Sequence, residues 1–192
     1  MKGQSLGFIA LSLDMNGKVV SEKTNDWIKS IAGKVADKDK ERFASSNILF
    51  HNFIRTSDGH FFAIGEQYEK GGLPMAIKLN VYNMVILEFD ENFGVSKVQV
   101  FEKDRNGVEM PRGFALTSTK VLSYYAKAIG GFDYVFSNLG KDKGTFMVSY
   151  INYDREKGQK GKNVLGSIVY TPEKVFSVDK IELNRKSSFY FV

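Results

Sequence analysis

Two nine-residue segments lie 76 positions apart and share one plan. Phe8-Ile9-Ala10-Leu11-Ser12-Leu13-Asp14-Met15-Asn16 and Met84-Val85-Ile86-Leu87-Glu88-Phe89-Asp90-Glu91-Asn92 keep Leu, Asp and Asn in step, with apolar residues at matching strand positions. Each turns and resumes as a second strand, over residues 18–23 and 95–103. A weaker third copy runs over 167–170, turns at Thr171-Pro172-Glu173-Lys174 and resumes over 175–183. A different hairpin precedes the second and third copies. Its first example pairs residues 48–56 with 61–68 around Ser57-Asp58-Gly59, and its second pairs 132–137 with 145–153 around a longer turn at 140–144. Phe50 matches Phe132, Phe61 matches Phe146 and Tyr68 matches Tyr153. Asp-Gly between apolar runs is among the strongest short-range hairpin signals.

This order predicts one domain of about two and a half β-repeat units: a half-unit at 7–25 and units at 48–103 and 132–192. Four strands per unit, repeated in tandem, point to a mainly β fold of antiparallel four-stranded sheets resembling β-propeller blades. So few blades cannot close a ring that usually needs at least about four. The expectation is therefore a piece of a longer protein, a sandwich of sheets (an α+β sandwich being the alternative fold), or chains that associate. Two short helices are predicted. Residues 118–129 place Val121, Leu122, Tyr125, Ala126 and Ile129 on one stripe, with Ser118 to cap the start and Gly130-Gly131 to end it. Residues 26–35 place Trp27, Ile28, Ile31 and Val35 together, weakened by Gly33.

Composition narrows the function classes. The 192 residues are 43% hydrophobic and 26% charged, which excludes a disordered tail, a collagen-like fibre and a coiled coil. The 16 Phe and 9 Tyr favour sheet. A net charge of +5 is mild, and basic residues alternate with acids, as in Asp37-Lys38-Asp39-Lys40-Glu41-Arg42. That is a solvated face and not a nucleic-acid stripe. The Lys157 to Lys162 cluster is glycine-rich and reads as a loop. Cysteine is absent, so disulfides, thiol catalysis and Cys-based zinc sites are excluded. The apolar stretch at 6–13 alternates and ends in a turn, unlike a signal-peptide core, and no run is long enough to span a membrane.

The run Phe50-His51-Asn52-Phe53-Ile54-Arg55-Thr56-Ser57-Asp58-Gly59, followed by Ala63-Ile64-Gly65-Glu66-Gln67-Tyr68, resembles a family of uncharacterised exported bacterial proteins with propeller-like β-repeats. Val85-Ile86-Leu87-Glu88-Phe89-Asp90, Val100-Phe101-Glu102-Lys103 and Phe132-Asp133-Tyr134 share the resemblance, which covers most of the chain from Trp27 onward. It implies a periplasmic or extracellular chain, although the sequence itself does not fix the compartment. It implies no activity and no catalytic residues. This chain is shorter than the family's usual members and lacks their signal.

Only two histidines are present, His51 and His60. A two-residue Asp58-Gly59 turn would set His51 opposite Glu66. One face would then carry His51, Phe53, Arg55, Phe62, Ile64 and Glu66, and the other Phe50, Asn52, Ile54, Phe61 and Ala63. A three-residue loop with a Gly59 bulge would shift this register by one. A buried His51 beside Arg55 and Glu66 is the candidate ligand-binding site, and the same trio would serve acid–base chemistry. Two histidines do not make a zinc site. Asp14-Met15-Asn16-Gly17 and Asp90-Glu91-Asn92 lack the later ligands of a calcium loop and are ordinary turns. The stretches at 140–144 and 158–162 lack phosphate-loop spacing, and no nucleophile elbow is present. Thr56-Ser57-Asp58-Gly59 is superficially similar to the Asp-box of sialidase propellers, without its spacing or Trp.

The expected function is a non-enzymatic binding or scaffold module for a protein or glycan ligand, exported, with no cofactor and no nucleic-acid partner. The edge of the hairpin at 7–23 is a place for self-association. The alternative is a hydrolase of glycans or peptides with a polar pocket at His51, Arg55 and Glu66.

Overall fold

The turn aspartates show why the repeated segments fold alike. Asp14 Oδ1 accepts from the Asn16 and Lys18 N–H groups at 2.8 and 2.9 Å, and Asp90 Oδ1 accepts from Asn92 and Gly94 at 2.9 and 2.8 Å. Both are turns in which a short carboxylate satisfies the backbone of the reversal. The computed structural model describes residues 6–73, 76–154, 161–173 and 175–183. The first turn joins β1 (Gly7–Leu13) to β2 (Val19–Asp26), and the second joins β5 (Ala76–Phe89) to β6 (Val95–Phe101).

Two larger antiparallel sheets follow the chain order strand by strand. One runs β3 (Asn47–Arg55), β4 (Phe61–Leu73), β5, β6, and its long β5 also pairs with β7 (Asn106–Glu109). The other holds β8 (Tyr134–Leu139), β9 (Phe146–Asp154), β10 (Lys162–Tyr170) and β11 (Phe176–Glu182). β1 and β2 form a separate two-stranded sheet. The fold is thus mainly β and antiparallel. Among the described residues the sheets close into no ring or barrel. The long β4–β5 arms and β7, which make the middle sheet five-stranded, were not expected.

Three apolar clusters hold these layers. The first packs the Phe61, Ala63, Val85, Leu87 and Phe89 face of the middle sheet against Phe8, Trp27, Ile31, Val35 and Phe43. The second packs its opposite face, with Ile54, Phe62, Ile64, Met84 and Ile86, against Phe146, Val148, Tyr150, Ile168 and Tyr170. Burying a side chain such as Phe62 contributes about 1.5–3 kcal/mol. The third covers the far ends of β4 and β5 with β7 and α2 (Thr119–Ala128), through Leu79, Val81, Val108, Leu122 and Ala126. With both faces covered, β4 and β5 carry near-continuous apolar runs.

The helical segments differ in part from the sequence pattern. α2 starts where expected, with Ser118 Oγ accepting from the Val121 N–H. It buries Leu122 and Ala126 and exposes Lys120 and Lys127, but Val121 and Ile129 are also exposed. The ten-residue helix makes one close contact face, too narrow for the whole apolar stripe. Residues 26–35 form no regular helix. Asp26 caps a five-residue π-helical turn, Trp27–Ile31, followed by a 3-10 turn, Ala32–Lys34. This irregular winding buries Ile31 and Val35 and leaves Ile28 exposed. The mixed-charge run at 37–42 winds into a 3-10 turn and α1 (Lys40–Ser45), a helix not anticipated, anchored by buried Phe43. The Lys157 to Lys162 loop falls outside the described residues except for its last two, and the part of the expected 132–192 unit beyond residue 183 also lies outside them.

Candidate functional site

The site begins with a β-bulge. The β3–β4 turn is the three-residue Ser57-Asp58-Gly59 loop, with Thr56 N–H donating to His60 O and Gly59 at φ 89°, so Arg55 pairs with Phe61. Farther along, the register shifts between Phe50 and Asn52, which leaves His51 without a cross-strand partner. Leu49, not His51, stands opposite Glu66. A bulge re-aims the residues around it. Phe50, Phe53 and Phe61 therefore gather on one face, with ring centroids 5.7 and 6.0 Å apart along the row, while Ile54 joins Phe62 and Ile64 on the other. The three-residue loop corrects the expected face assignment for Asn52, Phe53, Ile54 and Arg55, and the bulge returns Phe50 to the face expected for it.

The bulge turns His51 inward. Its ring stacks on Tyr134 at 4.7 Å and 3° and meets Phe132 edge-on at 5.1 Å. Nε2 lies 3.0 Å from Glu66 Oε2, at ion-pair distance but off the line of a hydrogen bond. Glu66 is completely buried. Its Oε1 lies 3.2 Å from Lys103 Nζ, and its two oxygens accept from the Asp133 and Tyr134 N–H groups at 3.3 and 2.9 Å. Lys103 Nζ also donates to Asp133 Oδ2, and Asn106 Nδ2 donates to Asp133 Oδ1 at 2.9 Å and to Gly131 O at 3.2 Å. The Lys103 side chain is fully buried and that of His51 nearly so. Arg55, the third residue of the expected site, is exposed at the end of β3 and is not part of this group.

The electrostatics follow from the geometry. Burial pushes the Glu66 carboxyl up, but the His51 contact, the Lys103 charge and the Tyr134 N–H outweigh it and hold the group below its ordinary value. For Asp133 burial wins, and together with the nearby Glu66 charge it keeps the carboxyl above its ordinary value despite Lys103 and Asn106. Two carboxyl groups face one lysine and one histidine. Full ionisation is therefore balanced only when His51 carries a proton. Glu66 comes from the middle sheet, Lys103 follows β6, and Asp133 precedes β8. The cluster thus ties the start of the four-stranded sheet to the middle one.

The open surface nearby is different. A recess of about 560 Å³ sits at the β3–β4 and β5–β6 turns, lined by Asp58, His60, Glu88, Asp90, Glu91 and Asn92 among others. His60 Nδ1 lies 2.8 Å from Glu88 Oε1, and Nε2 lies 3.6 Å from Asp58 Oδ2. Among the described residues no three His, Asp or Glu side chains converge as a metal site requires, and no helix is long and apolar enough to cross a membrane.

The chain is therefore a layered antiparallel β protein whose buried charges form a closed inter-sheet clasp. It belongs to the family of unknown function DUF6770, which matches residues 1–192. No curated protein and no solved structure matches it.

Proposed function

We propose that the chain is a non-enzymatic binding or scaffold module for a protein or glycan ligand, exported and built from propeller-type blades. The observation that carries this reading is the closure of the clasp. Glu66 and Asp133 are the carboxyls best suited to acid–base work, yet their oxygens are taken by Lys103, Asn106 and backbone N–H groups, with Glu66 and Lys103 sealed from water. A general acid or base needs the proton of a substrate within hydrogen-bond reach. The consecutive four-strand order of both larger sheets supports the blade reading, and the family resemblance supports export.

The test uses a panel of 4-nitrophenyl glycosides and peptide 4-nitroanilides with the wild-type chain and Glu66→Gln. Turnover at the buffer background for both is the expected result. Turnover by the wild type that Glu66→Gln abolishes, with circular dichroism unchanged, would establish a hydrolase instead.

A further inference from the structure

Both inter-sheet packings have the same polarity. In the first, the β1 face bearing Phe8 meets the Val85, Leu87 and Phe89 face of the middle sheet, with Phe8 5.5 Å from Phe50 and 5.9 Å from Phe89. Asn25, opposite Phe8, latches the layers by donating to Phe93 O and accepting from the Val95 N–H, each at 3.0 Å. In the second, the Met84 and Ile86 face meets the face bearing Phe146 and Tyr170. The 76-residue repeat matches Phe8 and Ala10 with Met84 and Ile86, and the aromatic pattern matches Phe61 with Phe146. Every sheet thus presents the same leading face to the same trailing face of the next.

The stack leaves one face of each kind open. At one end is the trailing face of β1–β2. Ile9, Leu11 and Leu13 alternate along it, are 56%, 52% and 57% exposed, and correspond to the buried Val85, Leu87 and Phe89. At the other end is the leading face of the four-stranded sheet. Met147, Ile151, Leu165 and Val169 line its centre half-buried, and exposed Phe136 and Ile181 flank them. None of the packed apolar clusters among the described residues includes the side chains of either face. Apolar sheet faces of this kind mark interaction surfaces.

We infer that a second copy of this chain is the partner: the leading face of one copy packs on the β1–β2 trailing face of another, head to tail. The inference rests on the blade-like reading of the repeats. The two internal packings already show which face fits which, and the open pair is that same combination. Such a contact is heterologous, so copies close into a ring or add in a line.

The experiment is light scattering coupled to size exclusion, with sedimentation velocity, at chain concentrations up to about 200 μM. The wild type is expected to form species of two or more chains. Leu11→Lys blocks the trailing face and Leu165→Lys the leading one, with Phe136→Lys as a second leading-face variant should Leu165→Lys not fold. Each alone is expected to be monomeric. Mixed, Leu11→Lys and Leu165→Lys restore one intact contact and give 1:1 dimers. A monomeric wild type overturns the inference. Association that survives in either single variant shows that like faces meet, and monomers in the mixture show that the two opposite faces do not bind each other; either result overturns the head-to-tail polarity. None of these outcomes bears on turnover, which the chromogenic panel reads separately.

Discussion

Lys103→Met is the sharpest test of the clasp. Methionine has a similar length and fits an apolar site, so the perturbation is the loss of the cation alone. In the native protein Lys103 Nζ lies between Glu66 and Asp133 with its side chain fully buried. Removing it leaves two buried carboxyls without their shared counter-charge. Breaking a buried ion pair in this way costs about 3–5 kcal/mol. For a chain of this size about 1 kcal/mol moves the melting temperature by roughly 2–4 °C, so a fall of about 6–20 °C is expected.

The pH dependence carries the finer signal. Native Glu66 is held below its ordinary value, so its stabilisation is complete at neutral pH and disappears only as pH falls through that lowered value. Without Lys103, burial is no longer outweighed, and protonation becomes the way to relieve the site. Lys103→Met should regain more stability than the wild type between pH 7 and about pH 5. Calorimetry and urea unfolding measure both effects. In the Lys103→Met/Glu66→Gln double variant the neutral amide should recover part of the loss, giving a coupling of about 1–3 kcal/mol. A Lys103→Met cost under about 1 kcal/mol, with a wild-type pH profile, would refute the clasp.

Asp133 predicts the opposite slope. Its folded value is raised, so its ionised form opposes folding, and stability falls as pH rises from the ordinary carboxylate range through that raised value. Asp133→Asn should remove this descending limb, seen as urea midpoints that no longer decline over that interval. Asn25→Ala removes two cross-layer hydrogen bonds at a side chain that is 1% exposed, and should cost about 1–3 kcal/mol. Its signature is faster amide exchange in β1 and β2 with the other sheets still protected. Gly166 stands opposite Tyr150, and a Cβ there would meet the Tyr150 ring at 2.2 Å. Gly166→Ala should therefore lower stability by about 1–3 kcal/mol as the buried ring is displaced, which thermal unfolding will show.

How much of this was legible depends on the range of the physics involved. The hairpins were readable because their signals are local: Asp-Gly at 58–59, Asp14 and Asp90 bracing their own turns, and apolar or alternating runs on either side of each turn. The order of the sheet strands followed from the same hairpins. The winding of 26–35 was not readable, because Trp27, Ile31 and Val35 are set by packing on the middle sheet and not by helical period. His51 and Glu66 could be paired from sequence by assuming a two-residue turn. The structure brings them together differently: the longer loop shifts the register by one residue, the bulge shifts it by one more the same way, and the bulged His51 reaches Glu66 from beside Leu49, the cross-strand partner of Glu66. The longer loop moves Phe53 to the other face and sets Arg55 opposite Phe61, outside the cluster. Lys103 gave no sign of its role, since Glu102-Lys103-Asp104-Arg105 reads as a solvated charged turn, and only tertiary packing selects which of those four is sealed. Asp133 offered a weak signal, an acid set between Phe132 and Tyr134 at a strand entrance. An acid held between two aromatics faces burial, and a buried carboxylate needs a cation. That requirement leads from Asp133 toward a lysine or arginine elsewhere in the chain, but the identity of the cation depends on which turn the sheets bring alongside.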